Sequence, residues 1–169
     1  MPDILADILT KGHVTTDQGE QIPLHSHLPE PEGRLLQAWL RTYQPKHLLE
    51  IGLAYGVSSL YICQAISPWS IKQYEIIDAF QSSQWQRVGV SHLHQAGYGD
   101  LYRLHEMRSE LCLPQFLHQG MRFDFAFIDG WHTFDHALVE FYYINRMLDV
   151  GGIVIFDDLH LPALQKLRA

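Results

Sequence analysis

The stretch Glu50-Ile51-Gly52-Leu53-Ala54-Tyr55-Gly56-Val57-Ser58 sets an acidic residue, two glycines and a serine between the apolar run His47-Leu48-Leu49 and the helical pattern that opens at Leu60. Small residues at a strand-to-helix turn let a ligand approach bare backbone, and the helix N-terminus beyond them favours an anionic group. A dinucleotide fingerprint would need glycine two and five positions after Gly52, where Ala54 and Val57 stand instead, so that reading fails. Asp78 closes a second apolar run, Lys72 to Ala79. A carboxylate at that place can accept both hydroxyls of a ribose, and the alternative is an Asp that only caps the turn after it.

These groups need a scaffold. The chain has 169 residues, enough for one domain with a sizeable core, and its hydrophobic (47%) and charged (18%) fractions are those of an ordinary globular protein. The formal net charge of -7 and the scattered Lys and Arg argue against nucleic acid and anionic membrane as partners. Cys63 and Cys112 each lie in an apolar run with no zinc or disulfide spacing, which reads as buried thiols in a reducing compartment. No secretory signal and no membrane span is readable, so the expected location is cytoplasmic. The eleven histidines form no ligand motif.

Residues 1–33 read as an irregular segment and a candidate lid, with one weak helical turn at Leu5, Ile8 and Leu9. From 34 to 169 the pattern alternates. A helix with Leu36, Trp39, Leu40 and Tyr43 on one face ends at Pro45, and a strand follows from His47 to Leu53. Further strands are expected over 72–79, 100–107, 123–129 and 152–157, and helices over 57–66, 83–96, 113–118 and 134–147, with another from Pro162. Phe134, Ala137, Leu138, Phe141 and Ile144 are expected to line the buried face of the long helix. Strands separated by single helices imply right-handed crossovers and a mostly parallel sheet covered on both faces. Ligands of such sheets bind beyond the carboxyl ends of the strands. Gly52 to Ser59, Asp78, Arg108-Ser109, Asp129 to His132 and Asp157-Asp158 all follow a strand.

The run Glu50-x-Gly52-x-x-x-Gly56-x-Ser58, the segment Phe127-Ile128-Asp129-Gly130-Trp131-His132-Thr133-Phe134-Asp135 and the segment Gly151-Gly152-Ile153-Val154-Ile155-Phe156-Asp157-Asp158 together resemble the class I S-adenosylmethionine-dependent methyltransferases, in a bacterial-type family close to the catechol O-methyltransferase group. The resemblance runs from about Glu32 to Leu159. It implies a Rossmann-like three-layer α/β sandwich with S-adenosylmethionine as cofactor, held by Glu50, Gly52, Gly56, Ser58, Asp78, Ser109 and Asp129. Ser58 would cap the helix after the glycines while binding the donor carboxylate, and Ser109 would meet the base. Three oxygen ligands for Mg²⁺ carry over to Asp129, Asp157 and Asp158; the alternative is that these carboxylates only cap helices. His132 falls where the catechol-type enzymes place a lysine, and an imidazole there suits general-base work, with Asp129 beside it in the catalytic set; the alternative is a structural histidine hydrogen-bonded to a carboxylate. Trp131 either stacks on the base or packs.

Methyl transfer to an oxygen of a small-molecule acceptor is the function this implies. Family sheets carry seven strands and five are readable here, so the last two are expected to be missing. That motivates an alternative from another class, a catalytically silent binding or assembly module, and an uncovered edge strand makes a homodimer plausible.

Overall fold

A computed structural model describes residues 3–168. Seven helices, seven strands and a closing 3-10 turn (Lys166–Arg168) follow one another within them. The chain divides into two compact units, one holding the described residues through Gln44 with Leu53–Ile71 and Phe80–Tyr102, the other Pro45–Gly52, Lys72–Ala79 and the chain from Arg103 onward.

The second unit carries the sheet. Its strands are β3 (His47–Ile51), β4 (Gln73–Ile77), β5 (Arg103–His105), β6 (Phe123–Ile128) and β7 (Leu148–Phe156), in the order β5-β4-β3-β6-β7. All four pairings are parallel. This is a Rossmann-like α/β fold, as the alternating pattern implies. The register is tight at the carboxyl end: Ile51 stands opposite Ile77 and Ile128, Ile77 opposite His105, and Ile128 opposite Phe156. The direction of winding reverses between β3 and β6, which is where such sheets open a crevice.

Helices α5 (Ser109–His118) and α6 (Phe134–Met147), with the short α7 (Pro162–Gln165), complete this unit. Cys112, Leu113 and Phe116 of α5 and Ile144 and Met147 of α6 form one core with Leu49, Ile51, Ile77, Phe123, Ala126 and Ile128 of the strands. The long helix departs from expectation in which face it buries. Ala137, Glu140, Ile144 and Met147 are buried, while Phe134, Leu138 and Phe141 are exposed. The apolar stripe is wide enough to support two faces, and the chain buries the one that includes a carboxylate. The strand expected over 152–157 starts earlier, at Leu148, directly after α6, with a register irregularity between Phe123 and Phe125.

The first unit opens with α1 (Ile4–Lys11), whose N-terminus is capped by the Asp3 carboxylate accepting from the Ala6 amide at 3.1 Å. A two-stranded antiparallel hairpin, β1 (His13–Thr15) and β2 (Gln21–Pro23), comes next. The N-terminal stretch is therefore not irregular throughout. Its hairpin is closed by the Thr16 hydroxyl, which accepts from the amides of Gln18 and Glu20, a local bond that short polar sequence does not advertise. Helix α2 (Glu30–Tyr43) buries Gly33, Leu36, Gln37 and Leu40 and turns Leu35, Trp39 and Tyr43 outward, which corrects the expectation for Trp39 and Tyr43. Its bare Gly33 lets α3 (Val57–Ile66) approach: a Cβ at Gly33 would collide with the buried ring of Tyr61. The Gln37 amide strengthens this seam by donating to the Tyr61 carbonyl at 3.1 Å and the Gln64 side chain at 3.0 Å. Gly33→Ala is expected to cost about 1–3 kcal/mol by overpacking, read as a lowered urea midpoint with an unchanged slope. Helix α4 (Val88–Gln95) starts later than the pattern predicts, because Gln86 and Arg87 take left-handed backbone conformations that delay it.

Candidate active site

The carboxyl edge of the sheet continues its ladder for one residue past four of the five strands. The Gly52 amide donates to the Ile77 carbonyl at 2.9 Å, Asp78 to His105 at 3.1 Å, Asp129 to Ile51 at 2.9 Å and Asp157 to Ile128 at 2.9 Å. Four residues singled out from sequence thus stand side by side because the parallel register places them there. Gly52 has φ +97, and a Cβ on it would run into the Asp129 carbonyl oxygen. Only glycine meets both demands, so the floor of the crevice at the switch between β3 and β6 is backbone alone.

Glu50, fully buried one residue before the strand's last, accepts a short hydrogen bond from the Tyr74 hydroxyl. The partner a buried carboxylate needs is supplied here from the neighbouring strand. Tyr74 escapes a sequence reading because the pairing spans two strands. Asp78 is buried at the end of β4. Ser109, also buried, is the first residue of α5, and its hydroxyl donates to Glu140 of α6 at 2.7 Å. Glu140 is the functional candidate that sequence missed; the available signal was a lone acid among the buried positions Ala137, Ile144 and Met147. Burial pushes its carboxyl up to about 7.

Asp129 is pushed up to about 9, first by burial and then by the negative charges of Asp157, Glu50 and Asp158, with a hydrogen bond to Asp157 holding its proton. At neutral pH it is an acid rather than an anion. Among the described residues, no group of three or more His, Cys, Asp or Glu side chains is arranged to hold a metal ion. Asp129, Asp157 and Asp158 are thus not preformed as a magnesium cage. Asp158 instead faces histidines: His132 Nε2 lies 3.3 Å from its Oδ2 and His160 Nδ1 lies 3.6 Å from its Oδ1. His132 Nε2 is 3.9 Å from Asp129 Oδ1. An imidazole whose Nε2–H points at a carboxylate keeps its ring oriented and leaves Nδ1 to take a proton. Trp131 is 53% exposed and stacks on His136 at 5.8 Å, so it is not a core residue.

In the first unit the glycine-rich turn is held from behind. Ala54 has φ +44 and Gly56 φ +81, and Gly56, not Ser58, is the N-cap of α3, which corrects the capping role expected of Ser58. Ser58 is buried in the first turn. The Gln81 amide donates to the Ala54 carbonyl at 2.8 Å, and His92 Nδ1 donates to the Tyr55 carbonyl at 2.8 Å. Burial lowers the pKa of His92, so it serves as a neutral donor. Gly89 of α4 brings backbone against the turn: a Cβ there would sit 2.5 Å from the Ala54 oxygen. The Tyr55 hydroxyl and His25 Nε2 are 2.8 Å apart, with Trp85 packed edge-on to Tyr55 at 4.9 Å.

Residues 49–159 match the family model described as a methyltransferase domain. The chain belongs to this methyltransferase-domain family. A caffeoyl-CoA O-methyltransferase of Populus kitakamiensis is 26% identical over 135 residues, covering 78% of this chain and 54% of that protein. The chain therefore spans about half the length of the curated relative it matches. Among solved structures, the O-methyltransferase TomG of Streptomyces achromogenes in complex with SAM has a TM-score of 0.74 at 23% identity, covering 99% of this chain and 75% of that one. An O-methyltransferase from Bacillus cereus in complex with SAH has a TM-score of 0.77 at 19% identity, covering 99% and 76%. These likenesses show that the methyltransferase domain shares its fold with SAM- and SAH-bound proteins. Among the described residues no helix is long and apolar enough to cross a membrane.

Proposed function

We propose that this methyltransferase domain binds S-adenosylmethionine at the carboxyl edge of its sheet and passes the methyl group to an oxygen of a small-molecule acceptor. The observation that carries the reading is the ladder Gly52–Asp78–Asp129–Asp157 past the strand ends, with its glycine floor and a buried acid beside it. Asp78 receives the ribose hydroxyls, Ser109 the base, and Gly52 gives the nucleoside room. Glu50, braced by Tyr74, fixes the floor. Gly56 and Ser58 belong to the donor set through the continuous motif that starts at Glu50. The caffeoyl-CoA O-methyltransferase and the two solved O-methyltransferases support the oxygen specificity.

Bound S-adenosylmethionine would supply a sulfonium methyl to an acceptor oxygen held in line with it, its sulfur keeping the electron pair of the S–C bond as the neutral thioether leaves. His132, oriented by Asp158, takes the acceptor proton. Asp129, protonated, lies beside this base without competing for the acceptor proton. Asp129, Asp157 and Asp158 are the residues that would hold an assisting Mg²⁺, tested by comparing turnover with added Mg²⁺ and with EDTA.

Calorimetric titration with S-adenosylhomocysteine is the direct test. Saturable binding at millimolar affinity or tighter is expected, and its absence overturns the reading. Asp78→Ala is expected to weaken that binding at least about tenfold, since two hydrogen bonds to a charged acceptor are lost. Binding without turnover against a panel of hydroxylated acceptors would assign the chain to the silent modules.

A further inference from the structure

Glu140 stands beneath two loops of the sheet's carboxyl edge. Its Oε1 receives the Ser109 hydroxyl at 2.7 Å, and the same atom would lie 3.2 Å from a Cβ on Gly130. The first loop follows β5 and the second follows β6. The carboxyl is 1% exposed, and its Oε2 has no hydrogen-bond partner. An orphaned buried carboxyl oxygen destabilises a fold, and an apolar side chain of similar size would fill the same space without that cost. The fold keeps the acid where its one bond is to a serine beside the strand ends: the His105 carbonyl, four residues before Ser109, receives the amide of Asp78.

A serine hydroxyl has one proton and two lone pairs. With its proton committed to Glu140, Ser109 Oγ offers a ligand only lone pairs. We propose that Glu140 is a positioning residue that makes Ser109 an obligate acceptor, so that the site selects a purine carrying an exocyclic amine and rejects one carrying a carbonyl at the same place. This rests on the proposed binding of an adenosyl donor, and on Ser109 meeting its base. An amine at that position donates to Oγ. A carbonyl oxygen there faces a lone pair, and a site with a polar group left unmatched discriminates strongly.

The test compares S-adenosylhomocysteine with S-inosylhomocysteine by calorimetry at pH 8.5, where Glu140 is ionised and Ser109 must be the donor of their bond. Wild type is expected to prefer the adenosyl ligand at least about tenfold. Glu140→Met removes the acceptor and frees the Ser109 proton, so the preference should fall below about threefold. Ser109→Ala should lower the preference likewise; if Glu140→Met does not fold, the wild-type preference decides the matter, since it should fall between pH 8.5 and pH 5.5, where Glu140 is protonated and can itself donate to Ser109. A merely structural Glu140 would leave the preference intact in Glu140→Met. That result, or a wild type that binds both ligands equally, overturns the inference alone. A wild type that binds neither ligand overturns the proposed function, and this inference with it.

Discussion

Gly52→Ala is expected to be the most damaging single-methyl change in this protein. The residue has φ +97, where an L side chain is strained, and the added Cβ would occupy the space of the Asp129 carbonyl oxygen. Neither side can yield cheaply. The Gly52 amide is bonded to Ile77 and the Asp129 amide to Ile51, so the clash lies between two backbone segments of one ladder. Strain of about 1–3 kcal/mol for the backbone conformation adds to about 1–3 kcal/mol for overpacking. A loss of about 3–5 kcal/mol is therefore expected, a large part of the stability of a domain this size. Chemical denaturation measures it, and titration with S-adenosylhomocysteine in the surviving folded fraction should show no binding. An unchanged denaturation midpoint would mean that β3 and β6 are not held as described.

What the sequence made legible follows from where its signals are local. Helices α3 and α6 have the predicted bounds: α3 is an apolar run set between Gly56 and Ser67, and α6 is a continuous run that starts after Thr133 and stops where β7 begins at Leu148. The positions of Gly52, Asp78, Asp129 and Asp157 were legible for a topological reason: in a parallel sheet every strand ends on the same side, so the residue after each strand needs no further information to be placed. The face a helix buries was not. On α2 the exposed Leu35, Trp39 and Tyr43 are as apolar as the buried Leu36 and Leu40, and only Gly33, a residue without hydropathy, reveals where the neighbouring helix comes closest.

The missed parts of the site are all pairings between residues distant along the chain. Tyr74 holds Glu50, Glu140 holds Ser109, and Gln81 and His92 hold the carbonyls of Ala54 and Tyr55. None belongs to a motif, since each acts on a motif residue from behind. A buried polar group must find a partner somewhere, yet nothing in a single sequence says which. The capping error at Ser58 has a similar origin. Serine is the common N-cap, but the turn demands at this point a left-handed conformation with the Gly89 backbone 3.0 Å from where a Cβ would stand, and glycine meets both at least cost.

Asp129 carries the other large expectation, on how stability varies with pH. Its folded-state pKa of about 9 lies far above the ordinary value of 3.8 in the unfolded chain. Between those limits the folded form keeps a proton that the unfolded form releases, so stability falls as pH rises through the window from about 4 to about 9, by up to about 1.4 kcal/mol per pH unit. Asn in its place retains a donor toward Asp157, resembles the protonated acid and does not titrate. Asp129→Asn should therefore flatten the dependence, with a melting temperature that gains on wild type at each step from pH 5 to pH 9. The carboxyl side chain is 20% exposed, and solvent screening reduces the slope without changing its sign. Divalent cation gives the measurement a second use. If Mg²⁺ draws Asp129, Asp157 and Asp158 together, it displaces the proton, and 10 mM (roughly, a saturating excess for a weak site) should raise the wild-type melting temperature at pH 8 but not that of Asp129→Asn. A parallel response of both proteins to pH would show that Asp129 is ionised in the fold, and the cluster would then need a cation to exist at all.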